Sequence, residues 1–370
     1  MTRRGGIAAA LHGEAAGCRP GRAWFGGLAL RRTAAIAACA LAVDGFVGCT
    51  RSLVSGPDTG PGLRDFEMAW SFVDSLYPML DGKGVDWDSV RAALLPRAEA
   101  TSEGDILPVL VEMLGRLSEA HAYVKSAGGA VVYPHLPRRL LRDKHSFSPY
   151  LVRRYLVGPM RLAGGEKVEY GMLENNLGYL RLPTFDPNHM LDDFSQVMAF
   201  LESSDGLVID IRNNNGGSRG NATRVVSRFL DAPLTYLLAF ERDGVPRYVD
   251  PPVSPDPAHR YRKPVVVLIN GAAVSAGDIF AEFMGALPNV TLVGDTTAGA
   301  ACQDRDGLLG DLRLPGGALV HLPTRCALRF DGVPLEWYGV PPDVRVTQTE
   351  ADVRAGRDPQ LERAIALLGG

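Results

Sequence analysis

Three places in this chain carry residue types at spacings that can do chemistry: Ser275 at the end of an apolar run, Gly216 and Gly217 at the end of another, and His121 after a helical pattern. In KPVVVLINGAAVSAGDIFAEFM (263–284) the β-branched and apolar run 265–269 predicts a buried strand. Asn270-Gly271 breaks it, and residues 276–284 resume at helical spacing. Ser275 therefore falls where a strand turns into a helix. Such a turn lifts a hydroxyl clear of the sheet edge and sets it beside the unsatisfied N–H groups of the first helical turn, an arrangement suited to attack on a carbonyl. The same position suits a helix N-cap, and on this stretch alone that is the commoner use of serine. GLVIDIRNNNGG (206–217) repeats the design, with strand 207–211 running into a polar turn whose glycines let the backbone approach a ligand and expose N–H groups. Two such units can set N–H donors on either side of one carbonyl oxygen. Taken singly, the second is an ordinary loop.

With GLVIDIRNNNGG, VVVLINGAAVSAGDIFA, VGDTTAGA and EWYGVPPDVRV in this order, the chain resembles the C-terminal-processing (tail-specific) serine peptidases. It is most similar to the branch that includes the tricorn core protease and the interphotoreceptor retinoid-binding protein. The resemblance runs from about residue 66 to the C-terminus and is poor over 128–165. It implies an α/β fold with a crotonase-like catalytic core. It also implies Ser275 as nucleophile, and an oxyanion hole made by the N–H of Ala276 with that of Gly216 or Gly217. A lone histidine at a helix end is more often structural. The resemblance makes His121, in LSEAHAYV, the general base, and gives Glu336, in LEWYGVPPD, the carboxylate that supports the histidine network; read alone, Glu336 is a surface turn residue.

Two departures from the family pattern matter. Tricorn-like members carry a serine before the histidine where this chain has Ala120, so the relay between acid and histidine is direct, runs through water, or is missing. Most bacterial relatives pair the serine with a lysine in a Gly-Lys-Gly context. The corresponding VGDTTAGAACQDRDG has none, and no lysine follows Lys263, which leaves His121 as the expected base with no lysine taking part. The implied function is a serine endopeptidase acting on peptides or unfolded protein ends without a cofactor. Two alternatives share the scaffold: a crotonase-type thioester enzyme, which uses two N–H donors but no serine nucleophile, and a catalytically inactive binder of peptides or hydrophobic ligands.

The elements that must position these residues divide the chain into five parts. Residues 1–49 read as an export segment: Arg31-Arg32, the small apolar run AAIAACALAV, then FVGC, a lipoprotein-type ending at Cys49. The run is shorter than the ~20 residues of a spanning helix. The expectation is an exported protein of the periplasm or cell envelope, attached to the membrane through lipidated Cys49. Residues 50–64 read as a Gly/Pro/Ser linker, 65–125 as a helical subdomain, 126–170 as a connector too short for the PDZ domain of many relatives, and 171–370 as the catalytic domain, with strands and helices alternating around a parallel-type sheet. The connector interleaves Arg138, Arg139, Arg142, Lys144, Arg153, Arg154 and Arg161 with Tyr150 and Tyr155. That is either a groove for an acidic group such as a peptide carboxylate or, more commonly, a solvated basic face.

Composition narrows the rest. The 370 residues suit about two domains, and a net charge of −3 gives no electrostatic reason to expect nucleic acid. His135, His145, His189, His259 and His321 lack ligand spacing, and Gly216-Gly217 has no Lys-Ser or Lys-Thr after it, so neither a metal site nor a phosphate loop is expected. Export makes a Cys302–Cys326 disulfide the expected pairing.

Overall fold

The computed structural model describes residues 60–101, 106–234, 238–248, 252–258, 260–304 and 310–369; the expected export segment, with Cys49, lies outside them. The strand Val265–Ile269 is buried at all five positions and occupies the inside of a seven-stranded sheet. Its neighbours are Val290–Gly294 and Gly206–Asp210, both parallel. Val344–Arg345 and Leu177–Arg181 extend the parallel part on either side, and Val168–Leu173 and Arg161–Ala163 close one edge antiparallel. Alternation along the central strand explains why an unbroken apolar run was needed. Val265, Val267 and Ile269 face a core shared with the helices Phe194–Leu201, Arg219–Val226 and Ala276–Gly285, while Val266 and Leu268 face one shared with Leu361 and Ala364 of Pro359–Leu368. A sheet covered on both faces has no polar side. The α/β class expected from the sequence is therefore the one observed.

The first helix, Pro61–Leu76, takes in residues that the sequence reading gave to the linker; Gly60 caps it, and proline fits the first turn, where no N–H partner exists to lose. With Trp87–Glu99 and Leu107–Gly115 it forms a layer whose apolar side chains do not close a core alone. Phe66, Val73, Leu110 and Met113 pack in one cluster with Phe240, Val320, Leu322 and Cys326 from the far end of the chain. The strand Tyr123–Lys125 then pairs antiparallel with Leu319–His321, so the helical layer is stitched to the C-terminal hairpin. Cys302 and Cys326 are direct partners across an antiparallel pair and are joined by the disulfide expected of them.

The connector holds two short helices, Arg138–Asp143 and Pro149–Val152, and supplies the edge strand Arg161–Ala163. Its basic residues are not one solvated face. Arg142 pairs with Asp143 and Asp295, and Arg161 and Arg153 lie over the rings of Phe200 and Tyr150.

Candidate active site

Ser275 caps the Ala276–Gly285 helix with φ 58° and ψ −116°, a left-handed backbone that a residue with a Cβ adopts at a cost of about 1–3 kcal/mol. What holds it there is visible. Its N–H donates to the carbonyl of Ala300 (2.9 Å) and to Asp278 Oδ2 (2.9 Å). Asp278 is fully buried and also accepts from Thr297 Oγ1, Gly299 N–H and Ala300 N–H, binding the 297–300 turn to the start of the helix. Burial raises the Asp278 pKa against these hydrogen bonds, which lower it.

The glycine turn packs directly on this serine. A Cβ on Gly216 (φ 76°) would lie 2.8 Å from Ser275 Cβ and 3.4 Å from its Oγ, and one on Gly217 (φ 125°) would lie 2.4 Å from the carbonyl oxygen of Phe185. Only glycine fits either position. The two expected alternatives differ in their hydrogen bonding. Gly216 N–H is already given to Asn214 Oδ1 (2.8 Å), whereas the N–H groups of Gly217 and Ala276 have no acceptor among the described residues. Behind the turn sits Arg212, wholly buried, in a fork between Asp210 and Asp358 and 4.2 Å above the Phe147 ring. Burial lowers its pKa, but the two carboxylates outweigh that and hold it well above the usual value. The strand end, the turn and the C-terminal helix are thus fixed to one another.

His121 follows the left-handed Ser118 and precedes the Tyr123–Lys125 strand, with one third of its side chain exposed. Its N–H donates to Glu119 Oε1 (3.1 Å). Its Nδ1 is buried, 3.6 Å from the same oxygen, and has no hydrogen bond among the described residues. Burial lowers its pKa, yet the carboxylates of Glu119, Glu336 and Asp278 together raise it above the ordinary histidine value. Glu336 is 2% exposed; Oε2 accepts from Ala301 N–H (3.0 Å) and Oε1 from Lys83 Nζ (2.7 Å). Lys83 also donates to Tyr77 Oη, Leu117 O and Ser118 O and lies 3.6 Å from Glu119, while Tyr77 Oη donates to Glu119 Oε2 (2.8 Å). A continuous path therefore runs from Ser275 through 300–301, Glu336 and Lys83 to Glu119 and His121.

The two carboxylates of this cluster are driven apart. Burial disfavours the charge on Glu119, but Lys83 and His121 prevail and hold it at about 2; burial and the Glu119 charge raise Glu336 to about 7 against the pull of Lys83. Sequence reasoning missed Glu119, Lys83 and Tyr77; it expected no lysine to serve as the base, and Lys83 reaches the cluster from DGKG, a stretch that reads as a surface turn. The three N–H donors of Lys83 are all engaged, and its ammonium is the counter-charge of both acids. Glu119, Cys302 and Glu336 come within 4.8 Å of one another, but the sulfur is committed to the disulfide and the lysine supplies the charge that a cation would bring.

Sheet, serine turn and glycine turn form one α/β arrangement, and comparison with known proteins finds its relatives among peptidases. Residues 176–346 match the Peptidase family S41 model and residues 63–115 the Tricorn protease C1 domain. Residues 176–346 are thus similar to peptidase family S41. The chain is 29% identical over 197 residues to the tricorn protease of Thermoplasma acidophilum (53% of this chain, 17% of that one). It is 24% identical over 276 residues to the carboxy-terminal processing protease CtpB of Bacillus subtilis (74% and 54%). The chain thus matches only part of the length of these curated relatives. A crystal structure of a candidate peptidase from Parabacteroides merdae superposes with TM-score 0.72 at 26% identity, covering 84% of this chain and 98% of that one.

Proposed function

We propose that this protein is a serine endopeptidase with a crotonase-like core, hydrolysing peptide bonds in peptides or unfolded protein ends. The observation that carries the reading is the strained Ser275 set against a glycine turn, with two backbone N–H groups, of Gly217 and Ala276, left without acceptors beside it. Ser275 Oγ attacks the scissile carbonyl, its proton passes to His121 Nε2, and the carbonyl oxygen, now negative, takes the hydrogen bonds of Gly217 and Ala276. Collapse expels the amine, which leaves with the proton from His121; water then hydrolyses the acyl-enzyme by the same route. Glu119 stands next to the histidine, and Glu336 supports it at one remove through Lys83. The relay therefore does not need the serine that Ala120 replaces. A thioester enzyme would need the N–H pair but not the strained serine, and nothing observed favours an inactive binder.

A fluorophosphonate probe separates these readings. It should form one covalent adduct, mapped by peptide mass spectrometry to Ser275; an unlabelled protein that is folded would reject the peptidase assignment. We further propose that residues 65–125 and 171–370 act as helical layer and catalytic unit, and that the protein is exported with Cys49 as its lipidated first residue, on the strength of FVGC after an apolar run. The mass of the mature N-terminal peptide tests the last point. The oxyanion assignment has its own test. Gly217→Ala forces the turn away from Phe185 and should lower kcat by about 10²–10³-fold with little change in KM. An effect on KM alone would mean that this N–H does not serve the transition state.

A further inference from the structure

The turn 297–301 ties several parts of the site together. Gly299 and Ala300 give their N–H groups to Asp278, the Ala300 carbonyl accepts from Ser275 N–H, and Ala301 N–H donates to Glu336. The chain leaves this turn through Cys302, and the backbone there is held by little. The strand Cys302–Gln303 has two residues and forms the edge of a four-stranded sheet. Its ladder to Arg325–Ala327 is two pairs long, Cys302 with Cys326 and Gln303 with Arg325. Cys326 is better anchored: its strand pairs on the other side with Leu238–Phe240, and its side chain belongs to the core shared with the helical layer. So short an edge strand has few hydrogen bonds to oppose local opening. The bond from Cys302 to Cys326 supplies a covalent tie where the ladder is weakest.

The same bond lies against the acid cluster. Cys302 Sγ and the carboxylate oxygens of Glu119 and Glu336 are within 4.8 Å of one another. Both cysteines are buried, so neither sulfur has solvent to swing into when the bond breaks. Two thiols need more room than the bond they replace, because unbonded sulfurs part to van der Waals contact. The cysteine placed to yield is the one on the edge strand. Its displacement reaches Ala301, which holds Glu336, and then Ala300, which holds Ser275.

We propose that the Cys302–Cys326 disulfide is an oxidative lock on the turn behind Ser275: the protein hydrolyses peptides with the bond closed, and with it open stays folded but turns over slowly. This rests on the peptidase reading and adds its regulation. Opening takes two electrons and two protons from a dithiol. Its thiolate attacks one sulfur and its second thiol resolves the mixed disulfide, leaving Cys302 and Cys326 as thiols and the reductant as a cyclic disulfide. Because the bond is buried, a reductant reaches it only when the edge strand opens. The lock is therefore set as the chain folds and oxidises, rather than toggled in the finished protein.

The test compares the full chain refolded in dithiothreitol with the same chain refolded in a glutathione redox buffer, the state of Cys302 and Cys326 being read by alkylation and peptide mapping. With labelled casein as an unfolded substrate, the reduced protein should show kcat lower by about 10²-fold at unchanged KM, the loss that goes with a displacement of about 1 Å. Fluorophosphonate labelling of Ser275 should slow in parallel, and reoxidation should restore both. Cys302→Ser with Cys326→Ser should stay slow in either buffer; if that variant misfolds, the reduced parent carries the comparison. Were the bond only a staple, its loss would lower the urea midpoint and leave kcat alone. Amide exchange gives a readout independent of activity: residues 297–301 should exchange at least about tenfold faster in the reduced protein, with Val265–Ile269 unchanged. Equal kcat in the two states, unchanged exchange at 297–301, or a reduced protein that has lost its far-ultraviolet circular dichroism overturns the lock. If neither state cleaves casein or takes the probe while exchange at 297–301 still speeds up, the peptidase reading falls and the coupling of disulfide to turn stands.

Discussion

Ser275→Ala should lower kcat/KM for any cleaved peptide by about 10⁴–10⁶-fold, His121→Ala by nearly as much, and the double variant by no more than the worse of the two. In the proposed mechanism serine and histidine act on one proton, so removing either leaves the other with nothing to do. The residual rate belongs to the Gly217 and Ala276 donors and to substrate binding. Both variants should remain folded: alanine at 275 keeps the backbone hydrogen bonds to Ala300 and Asp278, and the His121 ring makes no hydrogen bond to the described residues that its loss would break. The pH profile follows from the same residue. As a base His121 must be neutral, and the surrounding carboxylates raise its pKa, so the acid limb of kcat/KM should fall above the ordinary value of about 6.5. Removing one of those charges with Glu119→Gln lowers the histidine pKa and should move the limb to lower pH. Additive losses in the double variant, or full activity in His121→Ala, would place the base elsewhere.

The second large effect is on stability. Lys83→Met should destabilise the protein by about 3–5 kcal/mol, because it leaves Glu119 and Glu336 in one buried pocket without their cation. The loss must depend on pH. Glu336 already has its pKa raised to about 7, above the unfolded carboxyl value, and removing Lys83 raises it further. A group shifted this way is accommodated as the neutral acid below its unfolded pKa and opposes folding progressively as pH rises through its folded pKa. The difference between parent and variant should therefore be larger at pH 9 than at pH 6 in urea melts. A difference below about 1 kcal/mol, the same at both, would show that the lysine is not the counter-charge. The acid limb of any residual activity should move upward, since the histidine loses a nearby positive charge.

What could be read from the sequence follows the range of the forces involved. Ser275, Gly216 and Gly217 declare themselves locally: a period-two apolar run, a break, then either helical spacing or glycines, all within about twenty residues. Glu336 and His121 were legible only through motif resemblance, since neither has a local pattern that separates it from a surface charge or a structural ring. Lys83, Glu119 and Tyr77 were not legible. DGKG reads as an exposed turn, and the burial of a lysine is decided by a carboxylate far along the chain. The helical layer shows the same limit. Its 3.6-residue periodicity was plain, but that Phe66 and Leu110 share a core with Val320 and Cys326 is a pairing between distant segments that no window contains. Likewise the basic connector gave its composition but not which arginines found acids.

The contact between Lys83 and Glu336 spans 253 residues of sequence, and that between Asp65 and Gly316 spans 251. At the roughly 5–20 residues per second of protein synthesis, the lysine leaves the ribosome some 13–50 s before its partner exists. For most of that interval the emerging chain carries a histidine whose acid cluster is incomplete, and no serine turn. On the proposed peptidase reading, competence would therefore arrive only once Glu336 has joined the cluster around Lys83 and Glu119.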